Sequence, residues 1–211
     1  MGGFFGILHL LFKTSTRKRV RILALINIVG IVYFAMMLFV NTSLACSVIQ
    51  PRVVQETKIL SIFWYLIVFY LLINTTGNAA IVYYTDISTN LWTASHYHNV
   101  KVVQPFAARS HHCVLCNQQI VRRDHHCFFL CSCISFYNQK YFVFFCFYMS
   151  IGSLYAVCFI SYHICVEYDF PSVDENFAHV IFLASVAFGS FFGAVAAMSF
   201  LFWQLKLICR G

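Results

Sequence analysis

The sequence predicts an all-α polytopic membrane protein: four transmembrane helices, with a small Cys/His-rich domain between the second and third. Three observations predict it. The chain is 61% hydrophobic and only 10% charged, whereas soluble domains run about 45–50% apolar and about 25% charged. Four stretches of 19 residues or more contain no Lys, Arg, Asp or Glu, and about 20 apolar residues suffice to cross a hydrocarbon core. Finally, five of the ten Cys fall in one polar segment, residues 113–133, between two of those stretches.

Taken in order, residues 1–21 open with an apolar stretch and end in a basic cluster. A cleavable signal has its positive charge first, so the order is wrong for one. Gly2 invites myristoylation, but position 6 is Gly rather than Ser or Thr, so that motif fails. An interfacial helix with its basic residues near anionic headgroups is the expectation.

Residues 22–40 form the first span and 41–58 a lumenal loop. Residues 59–84 form the second span, and 85–140 the cytosolic Cys-rich domain. Residues 141–165 and 180–205 are the third and fourth spans, joined by a lumenal loop at 166–179. Residues 206–211 return to the cytosol. This orientation rests on basic residues: of the fourteen Lys and Arg, only Arg52 and Lys58 fall on the opposite side, and basic residues stay inside. The net charge of +7 is spent on topology and headgroups, with no nucleic acid needed to explain it.

Two glycosylation-like triplets, at Asn41 and Asn74, lie at the end of a span and inside one, and neither is expected to be modified. The polar patch from Asn74 to Asn78 is expected to hydrogen-bond between helices. No internal repeat is evident. The Cys placement argues against a secreted disulfide scaffold and for a metal site with a reactive thiol on a reducing face.

A structural zinc site takes four Cys or His ligands, commonly with a short Cys-x2-Cys knuckle. Cys113 and Cys116 form such a knuckle, and His126 and Cys133 complete a set of four. The alternative is that these thiols merely fill a small core. Cys127 cannot profitably be a fifth ligand and is left for chemistry. An ordinary thiol is mostly protonated at neutral pH, so it needs a base, and that base needs an orienting acid. Asp124, His125 and Cys127 supply orienter, base and nucleophile, while zinc on His126 holds the backbone between them.

The strings HHCVLC, RRDHHC and CISFYNQKYF, between the second and third of four spans, resemble the DHHC-type protein S-acyltransferases, or palmitoyltransferases. The likeness covers the loop closely and the topology of nearly the whole chain. Asp86-Ile87-Ser88 resembles a drifted form of the family's Asp-Pro-Gly element, and Asn138 with Phe142 matches its Asn and aromatic. The resemblance implies a two-step reaction in which Cys127 takes a long-chain acyl group from acyl-CoA and passes it to a substrate protein. It implies zinc on Cys113, Cys116, His126 and Cys133, activation by Asp124 and His125, and a cavity among the helices for the acyl chain. The partners implied are membrane lipid and proteins with a juxtamembrane Cys, and the location is an endomembrane such as the ER or Golgi.

The chain also departs from the family. A second zinc site is normally completed by an earlier Cys pair and a Cys after the knuckle, yet position 119 is Gln and no Cys occurs between Cys46 and Cys113. His96 and His98, with His112, are weak substitutes, so one zinc is expected. Phe128 and Phe129 replace the usual Pro-Trp and are candidates for contact with the acyl donor. Cys131 is extra: a spectator, an alternative ligand or a second acylation site. The sequence ends at Cys209-Arg210-Gly211, where the family continues into a Thr-Thr-x-Glu element and tail. The competing readings are a weak or inactive membrane scaffold and, more distantly, a zinc hydrolase, which would want an open coordination position.

Overall fold

The computed structural model describes residues 18–46, 58–85, 87, 110–167 and 173–210. The N-terminal segment up to residue 17, Asp86 and Ser88, and both His96 and His98 lie outside the described residues. Four long helices dominate: α1 Lys18–Leu44, α2 Lys58–Tyr84, α3 Gln139–Glu167 and α4 Val173–Cys209. Each is long and apolar enough to cross a membrane. Their most apolar windows are only 17–33% buried within the chain. Phe39, Phe188, Phe202 and Trp203 point outward, an arrangement that suits lipid and would be costly in water.

The chain divides into two compact units, residues 1–34 with 78–142, and residues 35–77 with 143–211. The second unit is helical. Leu44, Ile160, Leu183 and Val186 are buried at its centre, with Met37, Val40 and Phe159 against them. Trp64 meets Phe159 edge-on at 4.9 Å, and Tyr155 stacks on Phe159 at 4.4 Å. Polar groups here find partners, as they must in hydrocarbon: Ser190 Oγ donates to Asn41 Oδ1 at 3.0 Å, and Asn41 donates to the Met37 carbonyl. Asn74 donates to the Tyr70 carbonyl and Thr76 to that of Leu72, so these donors are met within their own helix, one turn back.

The first unit holds the Cys/His segment, and here the chain forms sheet that its short polar motifs did not announce. Strands β1 Ser110–Cys113 and β2 Gln118–Val121 make one antiparallel hairpin. Strands β3 His125–Cys127 and β4 Ser132–Ile134 make a second. Each loop is four residues long and ends in the left-handed region, at Asn117 with φ 52° and Cys131 with φ 51°. Asn tolerates that conformation far better than Cys does. A third left-handed residue, Arg122 with φ 46°, turns the chain from one hairpin into the next.

The core of this unit is built from the knuckle itself. Cys113, Leu115, Cys116, Ile120, Cys131 and Cys133 are buried together with Ala24, while Leu23, Ile28, Ile31 and Phe128 pack around them. Ala24, Ile28 and Ile31 recur at helical spacing, so one stripe of α1 is the floor of the domain.

Candidate active site

Successive side chains of a strand face opposite sides. In β3 that rule parts two adjacent imidazoles. His126 turns to the buried side, where its Nδ1 lies 3.6, 3.4 and 3.5 Å from the sulfurs of Cys113, Cys116 and Cys133. Cys116 and Cys133 are 3.6 Å apart. All four residues are buried, with their ligand atoms within 4.8 Å of one another.

A tetrahedral zinc with its usual bond lengths would need S···N near 3.6 Å and S···S near 3.8 Å. The donor set therefore fits a metal ion in spacing as well as in chemistry. The three thiols divide charge unequally: Cys116 and Cys133 are raised above the ordinary thiol range, chiefly by their hydrogen bonds to Cys113. Cys113 is held far below the ordinary thiol range because the Cys116 and Cys133 side chains hydrogen-bond to it. Burial works against the charge of Arg123, but a hydrogen bond to Cys133 and the nearby thiolate charges outweigh it and raise the guanidinium's pKa. A fixed cation thus stands beside the charge this cluster carries.

On the other side of β3, His125 and Cys127 share a face. His125 Nδ1 meets Asp124 Oδ2 at 3.1 Å, and the Cys127 thiol is close enough to act on the charge of the ring. Burial opposes a charged ring here. Asp124, which is hydrogen-bonded to the ring, and Cys127 beside it prevail, and the pKa is raised to about 9 against an ordinary 6.5. Cys127 is itself buried, and Phe142 closes on the His125 ring edge-on at 5.3 Å. Acid, imidazole and thiol stand in one row, with acid and imidazole hydrogen-bonded, the order in which a base is oriented and a nucleophile activated.

A family model for the DHHC palmitoyltransferases matches residues 95–211, more than half of the chain. The chain belongs to the DHHC palmitoyltransferase family. No curated protein matches it.

Against that DHHC background, the two hairpins are copies. His111, His112 and Cys113 stand in the first as His125, His126 and Cys127 stand in the second. Cross-strand partners correspond as well: His126 pairs with Cys133, and His112 with Gln119. The recurring His-His-Cys, fourteen residues apart, was a legible trace of the repeat in sequence, and the register extends it to the partner strands. His126 and Cys133 are buried in the metal cluster, whereas His112 and Gln119 are both exposed. Among the described residues, the cluster around His126 is the one group that can hold a metal.

Cys131 lies outside that ligand set. Burial first, and the Cys127 charge second, push its thiol up to about 11, which suits an inert packing residue. The two candidates for donor contact part company: Phe128 lies edge-on to the His126 ring at 5.7 Å and packs on the cysteine core, while Phe129 is 39% exposed.

Three supporting residues were missed in the sequence. Asn27 approaches His126, Gly30 lies under the backbone of Phe128, and Arg123 pairs with Cys133. A lone amide in an otherwise apolar span was a legible signal for Asn27. Nothing in the sequence pointed to Gly30.

Proposed function

We propose that this protein is a protein S-acyltransferase. It moves a long-chain acyl group, palmitoyl, from acyl-CoA to cysteines of substrate proteins through a thioester on Cys127. The observation that carries this reading is the Asp124–His125 hydrogen bond beside Cys127, which shares a face of β3 with the His125 ring. The charged ring beside the thiol is placed to give and take back the proton that acyl transfer between thiols requires.

The Cys127 thiolate attacks the acyl-CoA carbonyl. The carbonyl–sulfur bond to CoA breaks, and the departing CoA thiolate takes the proton from the His125 imidazolium. In the second step a substrate thiol attacks the Cys127 thioester, His125 accepts its proton, and the Cys127 thiolate is restored. Asp124 keeps the imidazole oriented and stabilises its positive charge throughout. Cys113, Cys116, His126 and Cys133 hold one structural zinc, which supplies rigidity and takes no part in bond making. The Cys-rich domain faces the cytosol at an endomembrane, where CoA donors and juxtamembrane cysteines meet, and each buried acyl methylene contributes about 0.8 kcal/mol of membrane affinity.

Incubation of the purified protein with labelled palmitoyl-CoA tests this. The expected adduct is labile to neutral hydroxylamine and absent in Cys127→Ser. No adduct on folded wild-type protein would instead favour a membrane scaffold, the reading encouraged by the exposed His112 and Gln119 pair.

A further inference from the structure

Asn27 is completely buried in α1, within the uncharged stretch 22–51. A carboxamide so placed needs hydrogen bonds, because an unmet polar group in an apolar setting is costly. Its nitrogen lies 2.6 Å from His126 Nε2, while its oxygen has no partner. The other ring nitrogen, Nδ1, faces the three sulfurs.

These facts restrict one another. A metal on the Cys3His set takes the lone pair of Nδ1, so Nε2 carries the proton and donates. An amide nitrogen also donates, and two donors do not bond. Turning the carboxamide about its last torsion exchanges oxygen and nitrogen without changing its outline. The orphaned oxygen then accepts the Nε2–H of His126, and both difficulties vanish.

We propose that Asn27 is a positioning residue for the metal-binding imidazole: its Oδ1 accepts from His126 Nε2, so the first membrane helix fixes the tautomer and orientation of a ligand in the Cys-rich domain. The proposal rests on the metal reading given above. It goes beyond that reading in assigning α1 a part in the metal site. Outer partners of this kind raise ligand basicity, and their loss typically costs 10–100-fold in metal affinity. His126 lies between His125 and Cys127 in β3, so a loosened His126 ring disturbs the reacting pair on the opposite face.

The test uses the full-length protein in detergent micelles and follows zinc release to a chromophoric chelator. Asn27→Leu keeps the volume and loses the acceptor; it is expected to release zinc roughly 10–100-fold faster than wild type. Asn27→Asp keeps an acceptor oxygen and is expected to release zinc no faster than wild type. If Asn27→Leu does not fold, Asn27→Ala makes the same comparison with Asn27→Asp. Equal release from the acceptor-free variants and wild type would overturn the proposal, as would an Asp variant that loses zinc as fast as they do. Wild-type protein that holds no zinc would also overturn it. Acylation measured alongside keeps the two readings apart: zinc release that follows the acceptor, in a wild type that never acylates Cys127, upholds this proposal and sinks the acyltransferase.

Discussion

The carboxamide of Asn138 donates to the carbonyl of Cys133 at 2.9 Å, tying the start of α3 to a metal-ligand strand. The same nitrogen reaches the Val82 carbonyl at 3.2 Å, and the oxygen accepts from the Ser135 amide at 2.9 Å. Val82 lies in the last turn of α2, where carbonyls lack helical partners. One fully buried side chain thus joins α2, β4 and α3.

Asn138→Ala should therefore cost on the order of 3 kcal/mol, since each buried group left unmet costs about 1–3 kcal/mol. Asn138→Asp should be at least as damaging. It keeps the acceptor for Ser135 but turns an oxygen toward two carbonyls. Thermal unfolding in detergent would check the order, and an Asp variant as stable as wild type would contradict it.

The alkaline limit of the reaction should follow His125. Its pKa of about 9 lies above the ordinary 6.5, so the imidazolium persists at neutral pH and is lost as pH rises through about 9. The shift stabilises the folded state fully below the ordinary value, and that contribution fades through the same alkaline window. Acyl-enzyme formation needs the imidazolium proton for the leaving CoA thiolate, so its rate should fall there. In Asp124→Asn the hydrogen bond weakens and the charge is gone, so the fall should begin at lower pH. Initial labelling rates across the alkaline range would show it, and an unmoved limb would detach Asp124 from His125.

Much of this was legible in the sequence, for identifiable reasons. Charge-free runs as long as a bilayer is thick have few other uses, and they gave the four helices. The knuckle at Cys113 and Cys116 pointed to His126 and Cys133 because four soft donors in a short polar segment have few alternatives. The hairpins escaped notice because β3 and β4 are three residues each, too short for alternation to register. Asn27 escaped because a single amide in an apolar run leaves no trace of its partner 99 positions away. Asn74 and Thr76 each donate to a carbonyl one turn back, a bond that sequence alone does not distinguish from one to a neighbouring helix.

Gly30 should prove sensitive where other helix glycines are not. A Cβ there would stand 3.1 Å from the Phe128 carbonyl oxygen and 3.3 Å from its carbon. Those are backbone atoms next to Cys127, and they can yield only by moving the turn. At Gly77 and Gly152 a Cβ would meet nothing within 4 Å, and Ala is the better helix former by about 1 kcal/mol. Gly77→Ala and Gly152→Ala are expected to be neutral or slightly stabilising. Gly30→Ala is expected to lower acylation of Cys127 several-fold while the helices remain intact by circular dichroism. Equal acylation in all three would show that the turn shifts freely.

Metal content should separate the two copies of the hairpin. His112 and His126 occupy equivalent positions, yet only His126 faces three sulfurs, and Gln119 stands where the other copy has Cys133. Elemental analysis of the purified protein is expected to give one zinc per chain. His126→Ala should lose it, because three thiolates without the fourth ligand leave the tetrahedral set open. His112→Ala should keep it. The structural metal contributes to folding directly, so His126→Ala should also unfold at lower temperature, whereas the exposed His112 can be replaced at little cost. Two zinc ions per chain, with one lost on replacing His112, would mean that residues outside the described ones complete a second set around it.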